Sequence, residues 1–229
     1  MESKPVLRYA IIVAGGKGER MGDKTPKQFL ELAGKPILMH TLEKFQKTIP
    51  SIKIILALPE NQIDFWEELF HKYEQPAIRH QIVKGGETRF HSVKNALKLV
   101  KEKGIVAIHD GVRPLVSEET IKRCFIEAKS KGNAVPVMNV VDSIRHFSKQ
   151  TKKSEAVSRS CYKIVQTPQC FDSDLILKAY EQEYNNKFTD DATVVEKLDV
   201  AINLVEGNKE NIKITTTEDL LIAEAFIKA

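Results

Sequence analysis

The chain has 229 residues, of which 42% are hydrophobic and 29% charged, and its formal net charge is +4. That length and balance support an ordinary buried core and exclude a disordered chain, and no apolar run approaches the ~18 residues that span a bilayer. The positive excess is mild and scattered, which suits small anionic substrates and argues against a nucleic-acid partner.

Residues 10–13 (AIIV) form a short apolar, β-branched run that reads as a buried strand. Gly15, Gly16, Gly18 and Gly22 follow at once, interleaved with Lys17, Arg20, Lys24 and Lys27. Glycine lets backbone amides approach a ligand, successive amides form a concave anion site, and surrounding cations favour dense negative charge. A polyphosphate fits such a turn. The dinucleotide fingerprint is absent, because Met21 stands where its third glycine belongs, and so is the P-loop pattern.

Beyond Pro36 a helix is expected, with Ile37, Leu38, Thr41, Leu42 and Phe45 on one face. Residues 53–58 (KIILAL) read as a second strand, and Ile63, Trp66, Leu69 and Phe70 give the next helix an apolar stripe with Trp66 in the core. A third strand is expected over 79–83. Gly85 and Gly86 then turn the chain into a helix through Ser92, Val93, Leu97 and Val100. Residues 105–108 form a fourth strand that runs out into His109-Asp110-Gly111-Val112-Arg113-Pro114. Ser117 caps another helix, with Glu118 and Glu119 in its first turn, and residues 134–137 form a further strand.

Strands and helices thus alternate to about residue 140, which implies an α/β, doubly wound, mostly parallel sheet. Ligands in such sheets sit outside the carboxyl ends of the strands. The polar turns at 15–27, 85–92 and 109–114 all lie at such ends, so one shared site is expected.

The pattern then changes. Residues 142–147 read as a strand, 150–155 as a polar turn and 157–165 as a returning strand, together a projecting β-arm suited to exchange with a second subunit. Residues 175–184 return to helix, and Thr189-Asp190-Asp191 caps a helix through Val194, Val195 and Leu198. Strands are expected at 202–205 and 211–215, the latter carrying Lys213, before a final helix from about Thr216. Cys124, Cys161 and Cys170 have no metal-like spacing and suit reduced structural thiols. The N-terminal residues lack the apolar region of a signal peptide, so a cytoplasmic protein with no membrane partner is expected.

A polyphosphate turn with several cations and no evident nucleophile suits phosphoryl or nucleotidyl transfer, where catalysis is positioning and charge stabilisation. Arg20 can bridge phosphate oxygens with its planar fork, while Lys27 and Lys213 act as point charges. Asp110 could bind a metal ion or substrate hydroxyls. His109 could act as a base, but a satisfied structural histidine is the better reading.

The segments AGGKGERMG with PKQF, GGETR with His91-Ser92, HDGVRP, QTPQ, TDDA and NIKIT occur in the order seen in the 2-C-methyl-D-erythritol 4-phosphate cytidylyltransferases of the nonmevalonate isoprenoid pathway. The chain resembles that family over about residues 7 to 227. The resemblance implies a Rossmann-like fold of the nucleotide-diphospho-sugar transferase type, a single domain over 1–229, and a β-arm over about 141–166 that interlocks a homodimer. It implies cytidylyl transfer from CTP to 2-C-methyl-D-erythritol 4-phosphate, giving 4-diphosphocytidyl-2-C-methyl-D-erythritol and pyrophosphate, with Mg²⁺ carried mainly by the CTP phosphates and Asp110 as the one protein group to weigh as a ligand. Arg20, Lys27 and Lys213 match its catalytic cations. Ala14, Gly15, Gly16 and Gly18 match its triphosphate cradle, and Gly86, Glu87 and Ser92 its cytosine-reading positions. Asp110, Arg113, Ser143, Arg159, Thr167 and Thr189 match its substrate site, with Ser143 and Arg159 holding the acceptor phosphate across the dimer.

The chain departs from the commonest family pattern at Val13 (often Pro), Gly15 (often Ala), Glu87 (often Asp) and Ser143 (often Thr). The Ala-Gly-Gly form is also similar to the sister ribitol-5-phosphate cytidylyltransferases. That acceptor, a sugar 1-phosphate nucleotidyltransferase and a non-catalytic nucleotide-binding domain stand as rivals.

Overall fold

A computed structural model describes residues 6–15, 25–73 and 78–228. Gly16, Gly18 and Arg20, with Lys17, Gly22 and Lys24, lie outside the described residues. The chain runs through β1 (Leu7–Val13), a 3-10 turn (Lys27–Phe29), the short strands β2 (Glu31–Leu32) and β3 (Lys35–Pro36), α1 (Ile37–Thr48) and β4 (Lys53–Leu58). A second 3-10 turn (Glu60–Gln62), α2 (Ile63–Lys72), β5 (His80–Lys84), α3 (Arg89–Leu97), β6 (Gly104–Asp110), α4 (Glu118–Lys131) and β7 (Asn133–Asn139) follow. The rest comprises β8 (Ile144–Phe147), β9 (Ser154–Val157), a 3-10 turn (Arg159–Cys161), β10 (Lys163–Val165), β11 (Gln169–Asp172), α5 (Ser173–Ala179), α6 (Asp191–Glu196), β12 (Leu204–Glu206) and α7 (Thr217–Lys228).

The central sheet has the order β10-β7-β11-β6-β1-β4-β5, with β12 beside β7. Its β6-β1-β4-β5 half is parallel throughout. Successive side chains of a strand point to opposite faces, and the core divides accordingly. Tyr9, Ile11, Ile55 and Val106 pack under α3, α5 and α6 through Phe90, Val93, Ile176 and Val194. Ala10, Ile12, Ile54 and Leu56 pack under α1, α2 and α4 through Leu38, Phe45, Trp66 and Phe125. Helices therefore cover both faces, which is the doubly wound arrangement the alternation predicts. Trp66 is fully buried, stacked 5.9 Å from the Phe29 ring. Each fully buried large apolar side chain contributes about 1.5–3 kcal/mol.

Helix starts follow local chemistry. Ser117 accepts a hydrogen bond from the Thr120 N–H at the head of α4, and Gly132 ends that helix at φ +86°. Asp190 and Thr193 form a reciprocal capping box at α6.

The structure differs from the expectations at five points. The returning strand expected over 157–165 is split: β9 pairs with β8, the polar Ser158–Cys161 stretch turns, and β10 joins the main sheet beside β7. The hairpin turn sits earlier than expected, closed by the Ser148 N–H bonding the Lys153 carbonyl. The antiparallel β11, between β6 and β7, has no counterpart in the expectations, because four residues with two polar ends make no apolar run. The helix expected over 175–184 ends at Ala179, where the Gln182 amide donates to the carbonyls of Ala179 and Val194. Finally, residues 211–215 are not a strand. Ile214 donates to the Val112 carbonyl and Arg113 donates to that of Asn211, so the segment is extended but tied to the loop after β6.

Candidate active site

A cavity of about 290 Å³ opens at the carboxyl ends of β1, β5 and β6. The backbone of Val13, Ala14 and Gly15 forms one wall, Gly86 to Arg89 and Ser92 another, and Lys27, Gln28, Asp110, Val112 and Lys213 complete it. The three turns singled out in the sequence thus meet around one space.

Asp110, the last residue of β6, is the electrostatic centre. Its Oδ2 lies 3.1 Å from Arg113 Nε and 3.1 Å from Lys213 Nζ, and its Oδ1 lies 3.6 Å from Arg89 Nε. Burial alone would push this carboxyl up, but Arg89, Lys213 and Arg113 outweigh it and hold the group below the usual carboxylate range. Asp110 is therefore ionised throughout any working pH. Arg89 is fixed in turn by a bidentate pair with Asp191, at 2.9 and 2.6 Å, and the Tyr180 hydroxyl donates to Asp191 at 2.6 Å. Asp191 is fully buried, and its charge with that of Asp110 keeps the Arg89 guanidinium protonated against the cost of burial.

His109 is fully buried and bonded at both nitrogens. Its Nε2–H donates to the Arg113 carbonyl at 3.0 Å, so its Nδ1 accepts from the Thr167 hydroxyl at 2.9 Å. The same hydroxyl accepts from the Asp110 N–H. Burial lowers the His109 pKa to about 4, which leaves a neutral, satisfied imidazole and no free base. Thr167 and Arg113 accordingly stand behind Asp110 and do not line the cavity.

Opposite requirements shape the 85–92 turn. The Gly86 N–H donates to Ser92 Oγ at 3.0 Å, and that hydroxyl donates to the Thr88 carbonyl. A Cβ on Gly86 would lie 2.4 Å from His91 Cβ, so the tight turn admits only glycine without rearrangement. Thr88 caps α3 and Glu87 reaches the cavity from an exposed position.

Three assigned residues stand elsewhere. Ser143, Arg159 and Thr189 are exposed and absent from this chain's cavity wall, and the Arg159 guanidinium bonds the Val141 carbonyl. Conversely, sequence reasoning passed over Arg89 and Asp191, though both sit inside quoted segments, GGETR and TDDA. Their pairing spans 102 positions, which no local pattern displays. Among the described residues, no group of three or more His, Cys, Asp or Glu could hold a metal ion, and no helix is long and apolar enough to cross a membrane.

An α/β sheet with a glycine-rich first turn and a cation-lined cavity at its strand ends fits a nucleotidyltransferase. The comparisons specify which one. Residues 8–229 match the family IspD, 2-C-methyl-D-erythritol 4-phosphate cytidylyltransferase, and the chain belongs to it. It is 56% identical over 222 residues to the enzyme of that name from Bacteroides fragilis, covering 97% of this chain and 100% of that one. It is 53% identical over 220 residues to the one from Phocaeicola vulgatus, covering 96% and 99%. The crystal structure of 4-diphosphocytidyl-2C-methyl-D-erythritol synthase from Anaerococcus prevotii superposes with a TM-score of 0.82 at 28% identity, covering 98% of this chain and 97% of that one. The activity is cytidylyl transfer from CTP to 2-C-methyl-D-erythritol 4-phosphate in isoprenoid synthesis, and ribitol 5-phosphate is not favoured as the acceptor.

Proposed function

We propose that the cavity binds CTP with its triphosphate along the backbone of Ala14, Gly15, Gly16 and Gly18 and its cytosine against Gly86, Glu87 and Ser92. The acceptor's phosphate then attacks the α-phosphorus in line, and pyrophosphate leaves. The observation that carries this reading is that Lys27 and Lys213 line the same cavity as Asp110 and the 86–92 turn. Charge spreads over the phosphoryl oxygens in the transition state, and fixed cations stabilise it without reorganising. Lys27, Arg20 and Lys213 fill that role. Asp110 fixes Lys213 and, being ionised, accepts hydrogen bonds from acceptor hydroxyls. Arg113 and Thr167 serve the acceptor through Asp110, and Thr189 neighbours the substrate from outside the wall.

Of the two carboxylates on the cavity wall, Asp110 has both oxygens facing cations and Glu87 is exposed. That donor set fits Mg²⁺ carried by the CTP phosphates better than a protein-held ion. When bound, Mg²⁺ supplies neutralisation of phosphate charge.

The whole chain acts as one nucleotidyltransferase domain whose β8–β9 arm joins a homodimer, so that Ser143 of the partner subunit and Arg159 of the partner subunit hold the acceptor phosphate. Exposed apolar side chains on and beside the arm, Val141, Phe147, Tyr162 and Ile164, support an interface there. Three free cysteines suit a reducing compartment, and the enzyme is assigned to the cytoplasm. Lys27→Ala tests the site: kcat should fall on the order of 10²–10³, with the melting temperature held. Near-normal turnover would remove Lys27 from the mechanism.

A further inference from the structure

Gln28 follows Lys27 in the first 3-10 turn, is 1% exposed and reaches the cavity wall. Its Nε2 donates to the Ala14 carbonyl at 2.9 Å and to Gln62 Oε1 at 2.6 Å. A primary amide has two N–H donors, and both are used. The orientation of the amide follows from the Ala14 carbonyl, which can only accept, since the reverse would set Gln28 Oε1 against that oxygen. Gln28 Oε1 itself has no hydrogen-bond partner among the described residues, so the amide is retained for its donors.

The bond to Ala14 determines a second group. A trans peptide is planar, with its C=O and N–H pointing in opposite directions. Gln28 holds the Ala14 carbonyl on one side, and the N–H of the same peptide, which belongs to Gly15, is thereby turned the other way. Gly15 is exposed and lines the cavity. The preceding peptide is already fixed, because the Ala14 N–H donates to the Ala57 carbonyl at 3.0 Å. On the far side of the turn, Phe29 is buried against Trp66. The turn that carries Lys27 is therefore anchored at Gln28 and Phe29.

We infer that Gln28 is a positioning residue for the phosphate end of the site: it locks the Ala14–Gly15 peptide so that the Gly15 N–H faces the anion, and it sets Lys27 beside that donor. Gln62, which begins no cavity wall of its own, acts one step further back by accepting the second Gln28 N–H. The inference rests on the assignment of this cavity to the CTP phosphates.

The experiment is calorimetric titration of the folded enzyme with three probes: CTP, inorganic pyrophosphate and cytidine. Gln28→Met keeps the shape and removes both donors. It should weaken CTP and pyrophosphate about tenfold each and leave cytidine unchanged, the loss expected for one hydrogen bond to a charged group. Gln62→Met should weaken pyrophosphate by about threefold, and Gln62→Glu, which keeps an acceptor for Gln28, should bind it as the parent does. Should Gln28→Met fail to fold, the Gln62 pair carries the test alone. Unchanged pyrophosphate affinity in Gln28→Met, equal losses for cytidine, or identical behaviour of the two Gln62 variants would overturn the role of Gln28. Lys27→Ala separates the two levels: if it weakens pyrophosphate while Gln28→Met does not, only the positioning role fails. If neither does, the phosphate assignment fails with it.

Discussion

The floor of the cavity and the β8–β9 hairpin are both assigned residues of one reaction, and they are built in different ways. Around Asp110, Arg89, Arg113 and Lys213 are set within 3.1 to 3.6 Å by bonds internal to one chain. The hairpin is a separate two-stranded sheet, and Ser143 and Arg159, which flank it, are exposed, with the Arg159 guanidinium spent on a carbonyl of its own chain. The contrast separates two kinds of preorganisation. Bonds within one subunit fix Lys213, one of the cations proposed to act on CTP, whereas the proposed grip on the acceptor phosphate waits for assembly.

The sharpest way to break the first half of this comparison is to remove the deepest counter-charge. Asp191→Ala removes the bidentate partner of Arg89 and leaves it only the longer contact with Asp110, and unfolding free energy should fall by about 3 kcal/mol in a chemical denaturation series. That is the low end for a buried pair, because the Arg89 side chain keeps 29% of its surface exposed and can rehydrate. A loss under about 0.5 kcal/mol, the range of ordinary surface substitutions, would show that the pair does not organise the floor.

The neutral histidine behind Asp110 gives a pH test. Its pKa is about 4 in the folded protein, against 6.5 for the free side chain. Between those values the unfolded chain takes up a proton that the folded chain refuses, so stability falls as pH falls through that window and the effect is complete below 4. The full difference corresponds to about 3 kcal/mol at most. His109→Gln should flatten the melting-temperature profile between pH 6.5 and 4, and an unchanged slope would assign the acid sensitivity elsewhere. Asp110 titrates below its ordinary value and acts only in stronger acid.

The hairpin half is sharpened by Arg159→Ala. Steady-state kinetics should give a KM for 2-C-methyl-D-erythritol 4-phosphate raised about tenfold, with the KM for CTP and the melting temperature unchanged. A matching rise for CTP would mean that the arm serves both substrates. The smallest expected effect is that of Gly15→Ala. A Cβ there meets only Ser92 Oγ at 3.9 Å, an ordinary contact, so kcat/KM for CTP should stay within about twofold. A large loss would mean that the cradle tolerates no side chain where the backbone has room for one.

What was legible in the sequence tracks how local each signal is. β4 was read to the residue because a continuous apolar run, IILAL, follows Lys53, and the Ser117 cap was read because one side chain and one N–H make it. Trp66 was placed in the core by helical spacing alone. β11 was missed because it is held by neighbours on both sides and not by its own pattern, as its fully buried Gln169 illustrates. In the site, the residues on turns at strand ends were legible, since the topology gathers them. Arg89, Asp191 and Gln28 were not, because each matters through a partner distant in sequence.

That distance carries a consequence for how the enzyme comes into being during synthesis. Arg89 pairs with Asp191 across 102 positions, and Arg113 with the Asn211 carbonyl across 98. A nascent chain that has not yet reached Asp191 already holds the glycine-rich turn, the 85–92 turn and the β6 carboxylate, but neither Asp191 nor Lys213. The early parallel strands can pair before these late residues leave the ribosome, but closing such long loops is slow and comes last. The proposed site is therefore completed only once the stretch from Asp191 to Lys213 has been made, and that late stretch works as the key that closes a cavity already framed by the sheet.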